Sequence, residues 1–185
     1  MESIDFKVQE LVKSLDKEEH VKRWDMYENT EGYMQQCSIV LFENDTVISR
    51  CDHNYTLIHN KDIIGARINN DYESKWYVEI STMPKTDFKT GLRELFCYTY
   101  YTNSQSKAID FVATFINVAT DVPINKDDRF DEIPAKTRNI LVFINPASGQ
   151  KLAVENWKQL KPLLARFHVE IDDRITAYAG HAKEF

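Results

Sequence analysis

The sequence predicts an α+β chain in two parts: an antiparallel barrel-like sheet closed by one helix, then a single β–α–β unit built on a parallel strand pair. Two observations predict it. Between Cys37 and Val118, short alternating runs at even spacing give way once, at the end, to helical spacing. Beyond a proline-bearing acidic stretch, the apolar run Ile140-Leu141-Val142-Phe143-Ile144 leads straight into Asn145-Pro146-Ala147-Ser148-Gly149, which reads as a buried strand ending in a polar turn.

The first 36 residues read as an amino-terminal amphipathic helix and a polar segment. Ile4, Val8, Leu11, Val12 and Leu15 form one stripe with charges opposite, and helical character is expected to about residue 30. Its polar face mixes both signs, so the stripe is expected to pack on the body of the protein rather than on a membrane. Tyr27 to Gln36 is polar and reads as loose.

Residues 37–118 form the strand-rich domain. Cys37–Phe42 and Thr46–Arg50 flank Glu43-Asn44-Asp45, a hairpin signal. Extended runs follow at Tyr55–Ile58, Ile63–Ile68, Trp76–Ser81 and Leu95–Tyr101. Ala108, Phe111, Val112, Phe115 and Ala119 then share one face of a helix over Ser106–Val118. Strands first and one closing helix last is the order of a pleckstrin-homology-like fold. An inositide site on such a fold needs a basic first hairpin, and Glu43-Asn44-Asp45 is acidic, so inositide binding there is not expected. Lys85, Lys89 and Arg93 read as a solvated loop, and Trp76, Tyr77, Tyr98, Tyr100 and Tyr101 as half-buried strand residues. Residues 119–138 read as a linker: acidic residues with Pro123 and Pro134, and no periodicity.

Composition bounds the function. The formal net charge of −6 argues against nucleic acid as a main partner, because phosphate backbones attract clustered Lys and Arg. No apolar run is long enough for a transmembrane helix, and the amino terminus lacks a secretory pattern. Cys37, Cys51 and Cys97 are odd in number with no Cys-x-x-Cys spacing, which suits reduced packing residues of a cytoplasmic protein and no metal site.

The chemistry concentrates after residue 139. The helix expected over Leu152–Phe167 would present free N–H groups and its positive dipole end just beyond the strand, so Asn145 to Gly149 sits where a phosphate binds in such sheets. A second extended segment, Val169 to Ile175, ends in Thr176-Ala177-Tyr178-Ala179-Gly180-His181-Ala182-Lys183-Glu184. If the two strands are parallel, both loops meet at one sheet edge, and Thr176 and Gly180 line the same pocket as Ser148 and Gly149. The sequence contains no GxxxxGK[ST], which excludes a P-loop kinase.

Here the chain resembles the diacylglycerol-kinase-type lipid kinases. Strand-NPxSG, a helix with a Pro-Leu-Leu segment, and strand-T-x-x-x-GHA-x-E carry the likeness, and GHAKE is most similar to the sphingosine and ceramide kinase branch. A looser likeness lies in the Ile63-Ile64-Gly65 strand of the preceding domain. The resemblance implies that 139–185 is the nucleotide-binding half of a catalytic domain, with ATP and magnesium as cofactors. It implies that Asn145, Pro146, Ala147, Ser148 and Gly149, and Thr176, Ala177, Tyr178, Ala179 and Gly180, contact the nucleotide. It implies a lipid hydroxyl as acceptor, a sphingoid base above all, in a cytoplasmic protein with peripheral membrane contact left open. His181 and Glu184 match the motif without an evident chemical role. Lys151 reads as solvated.

Relatives of this kind continue with a Gly-Asp-Gly loop and a substrate-activating carboxylate. The glycines here are Gly32, Gly65, Gly91, Gly149 and Gly180, so neither catalytic nor metal-binding residues are assigned. The expectation is an amino-terminal fragment, short isoform or incomplete gene model, inactive by itself because phosphoryl transfer depends on several positioned groups. A non-catalytic module that binds a protein or membrane is the alternative, and an NAD-kinase-like relative is more distant.

Overall fold

The fold was established from a computed structural model that describes residues 9–11, 13, 20–51, 54–70, 75–87, 89–136, 138–178 and 180–184. The chain is mixed α+β and divides into two units, 1–134 and 135–185.

The first unit is a seven-stranded antiparallel sheet: β1 (Lys22–Thr30), β2 (Tyr33–Leu41), β3 (Asp45–Arg50), β4 (Tyr55–His59), β5 (Ile63–Asn70), β6 (Trp76–Thr82) and β7 (Phe96–Thr102), in the order β4-β3-β2-β1-β7-β6-β5. The edge strands β4 and β5 are joined by a single 3-10 turn, Asn60–Asp62. So short a link spans only about 3.5 Å per residue, so the two edges must approach and the sheet curls on itself. Helix α1 (Gln105–Ala119) packs into that curl. Ser104 caps it by accepting from the Lys107 amide at 3.3 Å.

Core packing follows the alternation. Trp24 and Met26 of β1, Ile39 and Leu41 of β2, Ile48, Ile58, Val78, Ile80 and Tyr100 meet Ala108, Phe111, Val112, Phe115 and Ile116 of α1. Trp24 meets Phe111 edge-on at 5.2 Å, and Phe111 meets Phe115 at 4.8 Å. Such aromatic contacts add about 0.5–1.5 kcal/mol each beyond area burial. A smaller cluster, Val40, Phe42 and Val47, is joined by Leu11, Tyr55 and Leu57.

Several expectations are corrected. Residues 22–30 are a strand, not the end of a helix: Lys22, Trp24 and Met26 are buried while Arg23 and Asp25 are exposed, which is period two. Of the predicted amino-terminal stripe, residues 9–11 and 13 are helical and Leu11 packs on the sheet; Ile4, Val8, Val12 and Leu15 lie outside the described residues. Tyr27–Gln36 is not loose. It belongs to the β1–β2 hairpin, whose turn residues Glu31 (φ 53°) and Gly32 (φ 87°) both adopt the left-handed conformation that twists with the strands.

The first hairpin of the sheet is therefore β1–β2, and Glu43-Asn44-Asp45 closes the second. At the turn of that first hairpin, residues 28–33 contain Glu28 and Glu31 and no Lys or Arg. The strands expected after residue 54 and the closing helix are present within a residue or two of the expected bounds. Tyr100 and Tyr101 are buried, not half-buried. Arg93 is tied to Asp62 at 3.3 Å and to the Met83 carbonyl, which removes it from any basic patch.

The stretch read as a linker is held over much of its length. Asp110 of α1 accepts from the Phe130 amide at 3.1 Å, from Lys22 Nζ at 2.7 Å and from Trp24 Nε1 at 2.9 Å. Lys22, 5% exposed, also reaches Thr114 and lies 4.5 Å from the Phe130 ring centroid. Local composition could not show this, because the acceptor is Asp110 of α1, 20 residues before Phe130.

The second unit is a parallel pair, β8 (Arg138–Ile144) and β9 (Val169–Ile175), connected through α2 (Ala153–Leu164) and a 3-10 turn at Ala165–Phe167. The expectation that β8 is a buried strand is corrected. Leu141 is 51% and Phe143 37% exposed, because α2 covers only the opposite face. After Gly180 the chain makes a single 3-10 turn, His181–Lys183.

Candidate functional site

Ile144 ends β8, and the chain turns at once. The Asn145 carbonyl accepts from the Ser148 amide at 3.0 Å, and its side-chain Oδ1 accepts from the Ala147 amide at 2.9 Å. Proline suits the second position of such a turn, and Asn the first, because its side chain bonds the backbone two residues on. Asn145, Pro146, Ala147 and Ser148 are all exposed.

Between turn and helix lie Gln150 (φ 58°, ψ 31°) and Lys151 (φ 71°), two successive non-glycine residues in the left-handed region. Each costs of order 1 kcal/mol. The Lys151 amide bonds back to the Ser148 carbonyl at 3.0 Å, and Lys151 itself is exposed, as expected. At the start of α2 no side chain caps Leu152. The amides of Ala153, Val154 and Glu155 have no intrahelical acceptor, as at every helix start, and they lie beside the turn.

The second loop leaves the same edge. β8 and β9 run parallel with Ile144 opposite Ile175. The Thr176 amide donates to the Ile144 carbonyl at 2.9 Å, and its hydroxyl reaches the same oxygen at 3.3 Å. Asn145 and Thr176 thus emerge from adjacent strands.

Beyond Thr176 the loop closes on itself. The Ala177 amide donates to His181 Nδ1 at 3.1 Å, so that nitrogen carries no proton. The imidazole stacks on Tyr178 at 4.7 Å, and the Tyr178 hydroxyl donates to Glu184. That hydrogen bond holds the phenol above its ordinary pKa. Gly180 sits at φ 94° with open space where a Cβ would lie, a conformation that favours glycine. His181 and Glu184, which matched a motif without a role, therefore brace the loop. Ala179 lies outside the described residues.

Asp173 is the site-positioning residue that sequence reasoning missed. It accepts from Trp157 Nε1 at 2.8 Å and from Lys161 Nζ at 2.6 Å, tying α2 to β9. The Lys161 bond first, and then the Trp157 bond, hold its carboxyl below the usual range. A signal was available: Asp173 stands in the alternation of Val169, Ile171 and Ile175 and so falls on the helix-facing side.

Asn145 to Ser148, Ala177, Tyr178 and Gly180 are exposed, so the described residues of this edge form an open shelf. Cavities of about 680, 560 and 390 Å3 are lined by residues of the first unit. Among the described residues no three His, Cys, Asp or Glu side chains converge to hold a metal ion. What the shelf offers is backbone N–H groups, hydroxyls of Ser148 and Thr176, and a helix start, all suited to an anion.

No curated protein matches the chain. Residues 139–185 match the family model described as the diacylglycerol kinase catalytic domain, so the parallel unit with its two loops is the part of this chain that supports a diacylglycerol-kinase-type lipid kinase.

Proposed function

We propose that this chain is part of an ATP-dependent lipid kinase that phosphorylates a sphingoid-base hydroxyl. One observation carries the reading. The two motif loops leave one edge of a parallel strand pair in adjacent positions, bonded through Thr176 to the Ile144 carbonyl. An edge of that kind, beside a helix start, is where phosphates bind in open α/β sheets.

In this reading Asn145, Pro146, Ala147, Ser148 and Gly149 form the first nucleotide loop. Thr176, Ala177, Tyr178, Ala179 and Gly180 form the second. Ser148 and Thr176 supply hydroxyls, and the amides around Gly149 and the start of α2 face the phosphates. Bound ATP supplies the phosphoryl group, and this chain's residues hold and orient it. The sphingoid choice rests on the Gly180-His181-Ala182-Lys183-Glu184 run.

The first unit is assigned a pleckstrin-homology-like fold. Its meander of seven strands curled around one carboxyl-terminal helix supports this. No described helix is long and apolar enough to cross a membrane.

The test uses a longer protein in which these residues are joined to the rest of a catalytic domain. ATP-dependent labelling of sphingosine, ceramide and diacylglycerol is measured side by side. Preferential labelling of sphingosine is expected. Labelling of diacylglycerol alone would overturn the sphingoid assignment, and a folded protein that neither binds ATP nor labels any lipid would overturn the kinase reading.

A further inference from the structure

A groove of about 680 Å3 opens at the end of the barrel where α1 finishes. Its apolar lining comprises Leu41 and Phe42 at the end of β2, which are buried, Val118 of α1 and Ile124, which are half-buried, and Val122 and Pro123 just beyond the helix, which are exposed. Its volume lies in the range of ligand-binding clefts, about 300–1,000 Å3. Its rim is acidic. Glu43 and Asp121 are exposed, with no side-chain partner among the described residues, while Asp45 is buried against His59 at 2.6 Å. Lys61 is the lining residue of opposite sign, and the negative dipole end of α1 adds to the acidic side.

We propose that this groove docks a protein segment in which Lys or Arg residues alternate with aliphatic side chains. Charge complementarity selects that occupant. Lipid phosphates and nucleic-acid backbones meet the wrong sign at Glu43 and Asp121, and an acidic peptide does too. Aliphatic side chains of the segment meet Val122, which is 47% exposed, and Pro123 beside it. The site is independent of the nucleotide loops, so its success or failure leaves the kinase reading untouched.

Asp121 makes the test clean. It takes the left-handed position after α1 at φ 59°, with the Val122 amide bonded to the Asn117 carbonyl at 2.9 Å and its own amide to Val118 at 3.2 Å. Glycine or asparagine suits that position, and a carboxylate there opposes the helix dipole. Asp121→Asn therefore removes rim charge without harming the fold.

The experiment titrates the full chain into fluorescein-labelled nine-residue peptides of alternating Leu and Arg, Leu and Glu, or Leu and Ser, and follows anisotropy at low salt. Preference for the Leu/Arg peptide is expected. Glu43→Gln with Asp121→Asn should weaken it by about threefold to tenfold, as two exposed charge pairs would. The variant's thermal midpoint should equal or exceed that of the parent, and Val122→Ser should weaken binding at unchanged midpoint. Equal affinity for the three peptides, no binding at all, or charge variants that bind as the parent does would overturn the proposal. So would a chain dimer in sedimentation that Val122→Asp dissolves, which would assign the groove to a second copy.

Discussion

Replacing Asp110 tests the account of how the first unit is held together. Its carboxylate accepts from Lys22 Nζ at 2.7 Å, Trp24 Nε1 at 2.9 Å and the Phe130 amide at 3.1 Å. The Lys22 side chain is only 3% exposed and that of Asp110 17%. Asp110→Ala leaves the ammonium buried with, among the described residues, the Thr114 hydroxyl and the Phe130 and Trp24 rings beside it. Removing one partner of a buried pair costs about 3–5 kcal/mol, because the other charge stays desolvated. In a unit of this size that corresponds to a fall in thermal midpoint of roughly 10–20 °C. Lys22→Met should cost less, about 1–2 kcal/mol, since Asp110 is nearer solvent and keeps two N–H donors. The double variant should be markedly more stable than the sum of the singles predicts, by about 2 kcal/mol or more. Urea unfolding followed by tryptophan fluorescence measures all three. A cost below about 1 kcal/mol for Asp110→Ala, or strict additivity in the double variant, would refute the reasoning.

Three further expectations follow from individual geometries. Burial pushes the Cys37 thiol up to about 12 from an ordinary 9.0. A folded pKa raised above the unfolded one contributes stability that is present below about pH 9 and is lost as pH rises toward about 12, so urea midpoints should fall over that window and Cys37→Ala should flatten the fall. Glu31→Asn, at φ 53° beside Gly32, should raise stability by a few tenths to about 1 kcal/mol, checked by thermal unfolding, because asparagine tolerates that turn position better. In a protein that completes the catalytic domain, Gly149→Leu should weaken ATP binding at least about tenfold by calorimetry, the loss of one or two charge-assisted contacts, with Thr176→Ala weaker in effect. Unchanged ATP affinity with reduced stability would make the Asn145–Gly149 turn merely a strand ending.

Local pattern carried much of this molecule. The runs from Tyr55 to Tyr101, the closing helix, and the strand–turn–helix–strand order after residue 138 are all set by periodicity and by turn residues such as Pro146 and Gly180, whose conformational preferences act within a few positions. The pairing of the two loops was legible too, since a helix between two apolar strands favours the parallel arrangement that brings Asn145 and Thr176 to one edge.

What the sequence could not settle was whatever depended on partners distant along the chain. β1 alternates Lys22, Trp24 and Met26 inward, but a lysine in the inward register reads as polar until Asp110, 88 residues away, supplies the opposite charge. Likewise residues 119–138 read as a linker, and only the fold brings the Phe130 amide to that carboxylate. Alternation puts Asp173 on the helix-facing side, but only the fold brings Trp157 and Lys161 of α2 to it. His181 matched a motif, and only the folded loop gave its ring nitrogen the Ala177 amide to accept. Propensity and period are properties of neighbours in sequence, whereas burying a charge or fixing a tautomer depends on groups that only the tertiary fold brings within hydrogen-bond distance.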